Sequence, residues 1–311
     1  MNLSSPPMNV IVTGGAGFLG KHLCRALSTS GYQVKVIDLK PNPEFETIIA
    51  DVRDTASMNE HIKDAMCVLH LASLIEAGES VKEPQKFVDY NISGTVSVLE
   101  AMRINQVLMF IFSSSAAVYG EPQHVPIKED DRTMPINPYG MTKLAMEGLV
   151  SSYVASHGLT GIALRYFNLY GPGEHHQPET HAIPRFIDQI YHDQELTVWG
   201  NGEHQRDYIF IHDVVAAHLK AIDLGMAQPK KYHYFNLSTE QPKSVLEIAA
   251  LVEKYMGKKA NIKHFPPRPG DPLVLTADAT KAHEQLNWRA ETSLEEGMKQ
   301  TVEYFLSKWQ S

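Results

Sequence analysis

The sequence predicts an α/β protein built on an open, doubly wound parallel sheet, with a smaller α/β substrate-binding lobe attached. Three observations carry this. The first half alternates short β-branched runs with helical stretches. The runs are apolar throughout rather than alternating, as strands buried on both faces require. The first run ends in a glycine-rich turn that opens a helix.

Taken in order, the candidate strands are Asn9–Thr13, 33–37, 47–50, 67–71, 108–112 and 161–166, with helices such as 21–30 and 92–104 between them. The texture changes after Tyr170, where Gly171-Pro172-Gly173 opens a polar loop rich in His and Pro. Tyr232–Leu237 reads as one more strand returning to the main sheet, and Pro266-Pro267-Arg268-Pro269-Gly270 is a rigid, turn-rich boundary. The expected division is 1–170, with about 208–238 returning, as the larger domain, and 171–207 with 239–311 as the smaller lobe.

A chain of 311 residues that is 43% hydrophobic can bury a sizeable core. Its net charge of -8 argues against nucleic-acid or anionic-membrane partners. Cys24 and Cys67 make neither a disulfide framework nor a zinc set; they read as small core residues in a reducing compartment. No apolar run reaches the ~18 residues of a membrane span, and residues 1–7 carry no basic targeting segment. A soluble, cytoplasmic protein is expected.

The first strand runs into Thr13-Gly14-Gly15-Ala16-Gly17-Phe18-Leu19-Gly20, which holds both G-x-G-x-x-G and G-x-x-G-x-x-G. Missing Cβ atoms permit a tight turn and close approach to a pyrophosphate, and the helix start presents N–H groups to it. Asp38 ends the second strand, at the spacing of an acid that accepts from ribose hydroxyls. It would repel a 2′-phosphate, which favours NAD over NADP; Lys40 nearby weakens that argument slightly. Asp51-Val52 is placed either to embrace an adenine or, through Asp51, to cap a helix over 55–62.

Tyr139 and Lys143 are spaced i, i+4 on one helical face, behind a helix-starting Pro138. The fifth strand ends in Ser113-Ser114-Ser115, so a hydroxyl, a phenol and an ammonium can converge. His175, His176 and His181 share one loop but follow no zinc spacing, so no metal is expected.

Together these segments resemble the extended short-chain dehydrogenase/reductases of the NAD-dependent epimerase/dehydratase family, and most closely its UDP-glucose 4-epimerase group. The segments are 13–20, 71–80 (LASLIEAGES), 112–120 (FSSSAAVYG), 138–143 (PYGMTK), 164–168 (LRYFN), 206–213 (RDYIFIHD) and 267–271 (PRPGD), spread over nearly the whole chain. The resemblance implies a Rossmann sheet, NAD as cofactor, a UDP-sugar as substrate and a homodimer through the helices near 92–104 and 139–155. It implies Tyr139 as acid/base, Lys143 as the holder of the nicotinamide ribose that lowers the tyrosine pKa, and Ser115 as partner of the sugar hydroxyl. Cofactor contacts implied are Gly14, Gly17, Phe18, Leu19, Gly20, Asp38, Asp51, Val52, Leu71, Ala72, Asn91, Ser113, Tyr139, Lys143 and Tyr166. Substrate contacts implied are Ser115, Tyr139, Asn168, Arg206, Arg268, Asp271 and Leu275.

Related dehydratases carry Asp-Glu, and related decarboxylases Glu, where this chain has Ala116 and Ala117. An elimination needs acid/base groups at that place and alanine supplies none. The activity implied is therefore 4-epimerisation through a 4-keto sugar with transient NADH. The alternatives are an NAD(P)H-dependent 4-keto-sugar reductase, an epimerase of UDP-GlcNAc or UDP-glucuronate, and a nucleotide-sensing protein without catalysis. In the epimerase group the residue seven positions after the PRPGD-type arginine gates the sugar C2 substituent; here it is Leu275. A leucine takes space and offers no hydrogen bond to an acetamido group, which tilts the expectation toward UDP-glucose and UDP-galactose.

Overall fold

The computed structural model describes residues 8–175, 181–267 and 272–310. Its first half contains β1 (Asn9–Thr13), α1 (Phe18–Thr29), β2 (Gln33–Asp38), β3 (Thr47–Ile49), α2 (Thr55–His61), β4 (Cys67–His70), α3 (Ala77–Lys82), α4 (Pro84–Phe87), α5 (Gly94–Asn105), β5 (Met109–Ser115), α6 (Pro138–His157) and β6 (Thr160–Tyr166). The second half contains β7 (Asn168–Tyr170), α7 (Ala182–Tyr191), β8 (Leu196–Trp199), β9 (Gln205–Arg206), β10 (Tyr208–Phe210), α8 (Ile211–Ala227), β11 (Tyr232–Leu237), β12 (Lys243–Ser244), α9 (Val245–Met256), β13 (Ile262–Phe265), β14 (Val274–Leu275), α10 (Thr280–Gln285) and α11 (Leu294–Trp309).

The main sheet has seven strands in the order β11-β6-β5-β4-β1-β2-β3. The pairings from β3 through β2, β1 and β4 to β5 are parallel. The chain moves outward from β1 to β3, then crosses back to β4 and continues the other way. This reversal between β1 and β4 is the switch point at which open α/β sheets leave a crevice beyond the strand ends. The expected doubly wound architecture is therefore observed, with β11 returning as the seventh strand.

The core explains why the runs are apolar throughout. Ile11, Val68, Phe110 and Phe112 of the sheet pack with Val98 and Met102 of α5 and Met146 and Val150 of α6, all of them buried. Cys24 in α1 and Cys67 in β4 are free, buried thiols. The apolar run 108–112 continues as strand through Ser113, Ser114 and Ser115, because backbone pairing does not stop where hydroxyls begin. A π-helical turn, Val88–Ser93, precedes α5.

The described residues form two compact units, one of 8–120, 133–165 and 215–235, the other of 121–132, 166–214 and 236–310. In the second, β7 pairs with β10, β8 with β13, and β9 lies between β12 and β14. Residues 121–132 join it through the Ile127–Ala277 bridge and through the Asn236 N–H, which donates to Glu129 Oε1 at 2.9 Å. Among the described residues no helix is long and apolar enough to cross a membrane.

Candidate active site

The glycine turn after β1 is tight for reasons of space. Gly14 has a φ of +73°, and a Cβ there would lie 2.7 Å from the Ala72 nitrogen after β4. A Cβ on Gly20 would lie 2.3 Å from the Gly14 carbonyl oxygen. Helix α1 starts at Phe18 behind Gly17 with no side-chain cap, so no cap side chain takes up its first N–H groups. Leu71 donates its N–H to the Thr13 carbonyl at 3.0 Å, which seats the segment after β4 beside the turn.

Asp38 ends β2 with one oxygen accepting from the Ala16 N–H at 2.9 Å and the other from the Lys40 N–H at 3.1 Å. The carboxylate is thereby fixed at the rim of the glycine turn. Asp51 does not cap α2. That task falls to Asp54, whose side chain accepts from Ala56 and Ser57. Asp51 instead holds Arg53 at 2.6 Å, which keeps its carboxyl below the usual range, and the Arg53 guanidinium lies 3.7 Å over the Tyr90 ring. Val52 is buried against Gly94, where an added Cβ would meet it at 2.9 Å.

Tyr139 and Lys143 enter from α6, whose N-cap Asn137 accepts from the Gly140 N–H at 2.9 Å, with Pro138 as first helical residue. The Tyr139 N–H is taken by Ser80 Oγ at 3.1 Å. Lys143 is 1% exposed and donates from Nζ to Ser73 Oγ at 2.8 Å and to the Ser113 carbonyl at 2.9 Å. Its ammonium lies 5.9 Å from the centre of the Tyr139 ring. Ser115, the last residue of β5, hydrogen-bonds the Tyr139 phenol and accepts from the Ala117 N–H at 3.1 Å. Hydroxyl, phenol and ammonium thus meet at the carboxyl end of β5.

Burial opposes charge on both partners. It pushes the Tyr139 phenol up to about 12, against the pull of Ser115, and draws Lys143 down to about 7. The expected lowering of the tyrosine pKa by Lys143 together with a bound nicotinamide ring concerns the loaded site. In the protein alone, desolvation sets the direction of both shifts.

Sequence reasoning missed the support beneath this cluster. Glu147 continues the Tyr139, Lys143 stripe at i+8; it accepts from Ser114 Oγ at 2.5 Å and from Arg165 at 2.9 and 2.6 Å. Arg165 also donates to the Tyr119 hydroxyl at 2.7 Å. The i+8 spacing was a visible signal; the pairing of α6 with β6 was not. Asn91 is buried and engaged within the protein. Its Oδ1 accepts from the Leu74 N–H at 2.7 Å, and its Nδ2 donates to the Leu74 carbonyl at 3.0 Å and Thr142 Oγ1 at 2.9 Å.

The second unit gathers three further candidates. Arg206 of β9 stands in register with Leu275 of β14, and Asn168 of β7 with Tyr208 of β10. Asp207, between Arg206 and Tyr208, is fully buried and accepts from Ser238, Thr239 and Thr276 hydroxyls at 2.6, 2.8 and 2.8 Å. Its carboxylate ties three segments together and so fixes the flanking Arg206 and Leu275, a role the sequence reading passed over. Tyr166, at the end of β6, is buried. Arg268, Asp271 and His176 lie outside the described residues. Of the loop histidines, His181 pairs through Nδ1 with the buried Glu174 at 2.6 Å.

Comparison with known proteins fits this geometry. A family model described as the NAD dependent epimerase/dehydratase family matches residues 10–237. A UDP-glucose 4-epimerase of Lactobacillus helveticus is 38% identical over 304 residues, covering 91% of this chain and 92% of its own. The crystal structure of a Thermotoga maritima UDP-glucose 4-epimerase with UDP-glucose superposes with a TM-score of 0.90 at 34% identity, over 97% of this chain and 100% of that one. A Stenotrophomonas maltophila UDP-glucose 4-epimerase with bound NAD and formylated UDP-arabinopyranose gives 0.92 at 32% identity, over 97% and 99%.

Proposed function

The chain belongs to the NAD-dependent epimerase/dehydratase family, and on that premise we propose that it is an NAD-dependent nucleotide-sugar 4-epimerase whose preferred pair is UDP-glucose and UDP-galactose. The observation that carries the reading is the meeting of Ser115, Tyr139 and Lys143 at the end of β5, followed by alanines at 116 and 117 where an elimination would need acid/base groups.

The residues present fit NAD. The Gly14–Gly20 turn leaves room that a Cβ would fill, the start of α1 offers N–H groups, and Asp38 supplies a fixed carboxylate suited to ribose hydroxyls. Bound NAD would accept the C4 hydrogen with its electron pair and return it to the opposite face. Lys143 would hold the nicotinamide ribose, and Ser115 the sugar O4. Tyr139 would take the O4 proton through its phenolic oxygen and give it back on return. Phenolate and ammonium stabilise one another, so a depressed lysine and an elevated tyrosine move toward their charged forms together once a cationic ring is bound beside them. Asn168, Arg206, Arg268 and Asp271 are assigned to the nucleotide diphosphate, where a bidentate guanidinium holds firmly while the sugar turns.

We assign the enzyme to the cytoplasm, on its two free thiols, and to a homodimer through the outer faces of α5 and α6, where Ile104 is 51% and Met141 56% exposed. The deciding experiment incubates purified protein with a panel of UDP-sugars without added NAD and follows the products by NMR. Interconversion at C4, with NAD(H) released on acid denaturation, is the expected result. No interconversion at C4, together with NADH consumed one for one when a 4-keto UDP-sugar is added to the panel, would replace the epimerase with a 4-keto reductase.

A further inference from the structure

His70 is fully buried at the end of β4, one strand from the glycine turn and outside every role assigned above. Its Nδ1 lies 2.7 Å from Thr13 Oγ1 and its Nε2 3.3 Å from Thr95 Oγ1. The protons in this chain can be placed in one consistent sense. Thr95 donates its hydroxyl proton to the Asn91 carbonyl at 2.6 Å, so its oxygen must accept from His70 Nε2–H. Nδ1 of the neutral ring is then an acceptor, and Thr13 donates to it. Thr13 Oγ1 is left to accept from the Ala72 N–H, at 3.4 Å. On the far side, Asn91 Nδ2 donates to Thr142 Oγ1, which donates to the Tyr139 carbonyl at 2.8 Å. Two runs of donors and acceptors, joined through the covalent frame of Asn91, thus link the end of β1 to the first turn of α6.

We infer that His70 is a positioning residue: a neutral imidazole, protonated on Nε2, that couples the glycine turn after β1 to the helix carrying Tyr139 and Lys143. A charged imidazolium would reverse the Thr13 bond, because Nδ1–H would then donate to the hydroxyl oxygen and the Thr13 proton would lose the acceptor it has now. It would also add a second positive charge near Lys143, and burial beside that ammonium pulls the ring down to about 3, so the neutral form holds across the working range. An apolar side chain would pack in the same space beside Phe110 but would leave Thr13 and Thr95 without their shared partner.

The inference rests on the reading of Tyr139 as the acid/base. His70→Leu, which removes both ring nitrogens, and Thr142→Val, which breaks the link at its other end, should each lower kcat with UDP-glucose about tenfold or more while KM changes less than about twofold. Purified His70→Leu should also retain less NAD(H). His70→Gln, whose amide offers one acceptor and donors in their place, should recover most of kcat. Long-range proton–nitrogen correlation on the wild-type protein should find His70 neutral with its proton on Nε2 down to pH 5. A folded His70→Leu or Thr142→Val with wild-type kcat, a His70→Gln no better than His70→Leu, or a proton on Nδ1 would each overturn the inference. If His70→Leu does not fold, Thr142→Val and the tautomer decide. A Tyr139→Phe variant that still turns over removes the reading of the site itself, whereas an inactive Tyr139→Phe beside a fully active His70→Leu removes only the role of His70.

Discussion

Replacing Lys143 by methionine should kill turnover and, in cofactor-free protein near neutrality, change the way stability depends on pH. The ammonium is 1% exposed and holds two hydrogen bonds, to Ser73 and the Ser113 carbonyl. Burial lowers it from 10.5 to about 7. A basic group depressed in the folded state binds fewer protons folded than unfolded between those values, so stability rises with pH through that window and is flat below it. Linkage gives a penalty of roughly 4 kcal/mol at pH 7, falling to roughly 2 kcal/mol at pH 9. The interval from pH 7 to 9 isolates this group. His70, lowered to about 3, titrates below it; Cys24, Cys67 and Tyr139, raised to about 12 from 9, 9 and 10, begin to act only near its upper end, equally in both proteins, and cancel in the difference. Lys143→Met also leaves the Ser113 carbonyl without its donor, a loss of ~1–3 kcal/mol. The variant should therefore be more stable than wild type at pH 7 by about 1–3 kcal/mol, and that advantage should shrink by about 2 kcal/mol by pH 9. The assay is denaturant unfolding of both proteins, stripped of nucleotide, at intervals across the window. Parallel curves for the two proteins would refute the claim that the fold carries a desolvated ammonium at this position.

Three further outcomes follow from the site. Tyr139→Phe keeps the ring and removes the hydroxyl, so kcat should fall ~10²–10⁴-fold with KM little changed, measured by the rate of UDP-galactose formation. Arg206→Ala should weaken UDP binding ~10–100-fold by calorimetry, since a charge-assisted contact contributes ~1.5–3 kcal/mol; unchanged affinity would make Arg206 structural. Leu275→Ser should raise kcat/KM for UDP-GlcNAc relative to UDP-glucose, because the smaller side chain opens space and adds a hydroxyl for the acetamido group; an unchanged ratio would remove Leu275 as the gate.

Much of the architecture was legible in the residue order. Asn9–Thr13 and Tyr232–Leu237 were placed to the residue, because an apolar run between turn formers admits little else. The glycine turn, Asp38, and the Tyr139, Lys143 spacing were equally plain, since each depends on local geometry along one loop, strand or helix. The three serines were read as the end of the fifth strand, and β5 does end at Ser115.

What the residue order left open was settled by contacts between segments distant in sequence. Asp51 was read as either an adenine contact or a helix cap, and in the fold the cap is Asp54. Asn91 reads as a ligand contact, yet its amide bridges Leu74 and Thr142, a residue 51 positions away. Nothing local marks Ser73 as the partner of Lys143, His70 as the link between Thr13 and Thr95, or Asp207 as the clasp on Ser238 and Thr276. The direction of the Tyr139 and Lys143 shifts was likewise invisible in the sequence. Spacing along a helix says which groups are near one another, but desolvation depends on everything packed around them, and only the tertiary structure determines how much water a charge has lost.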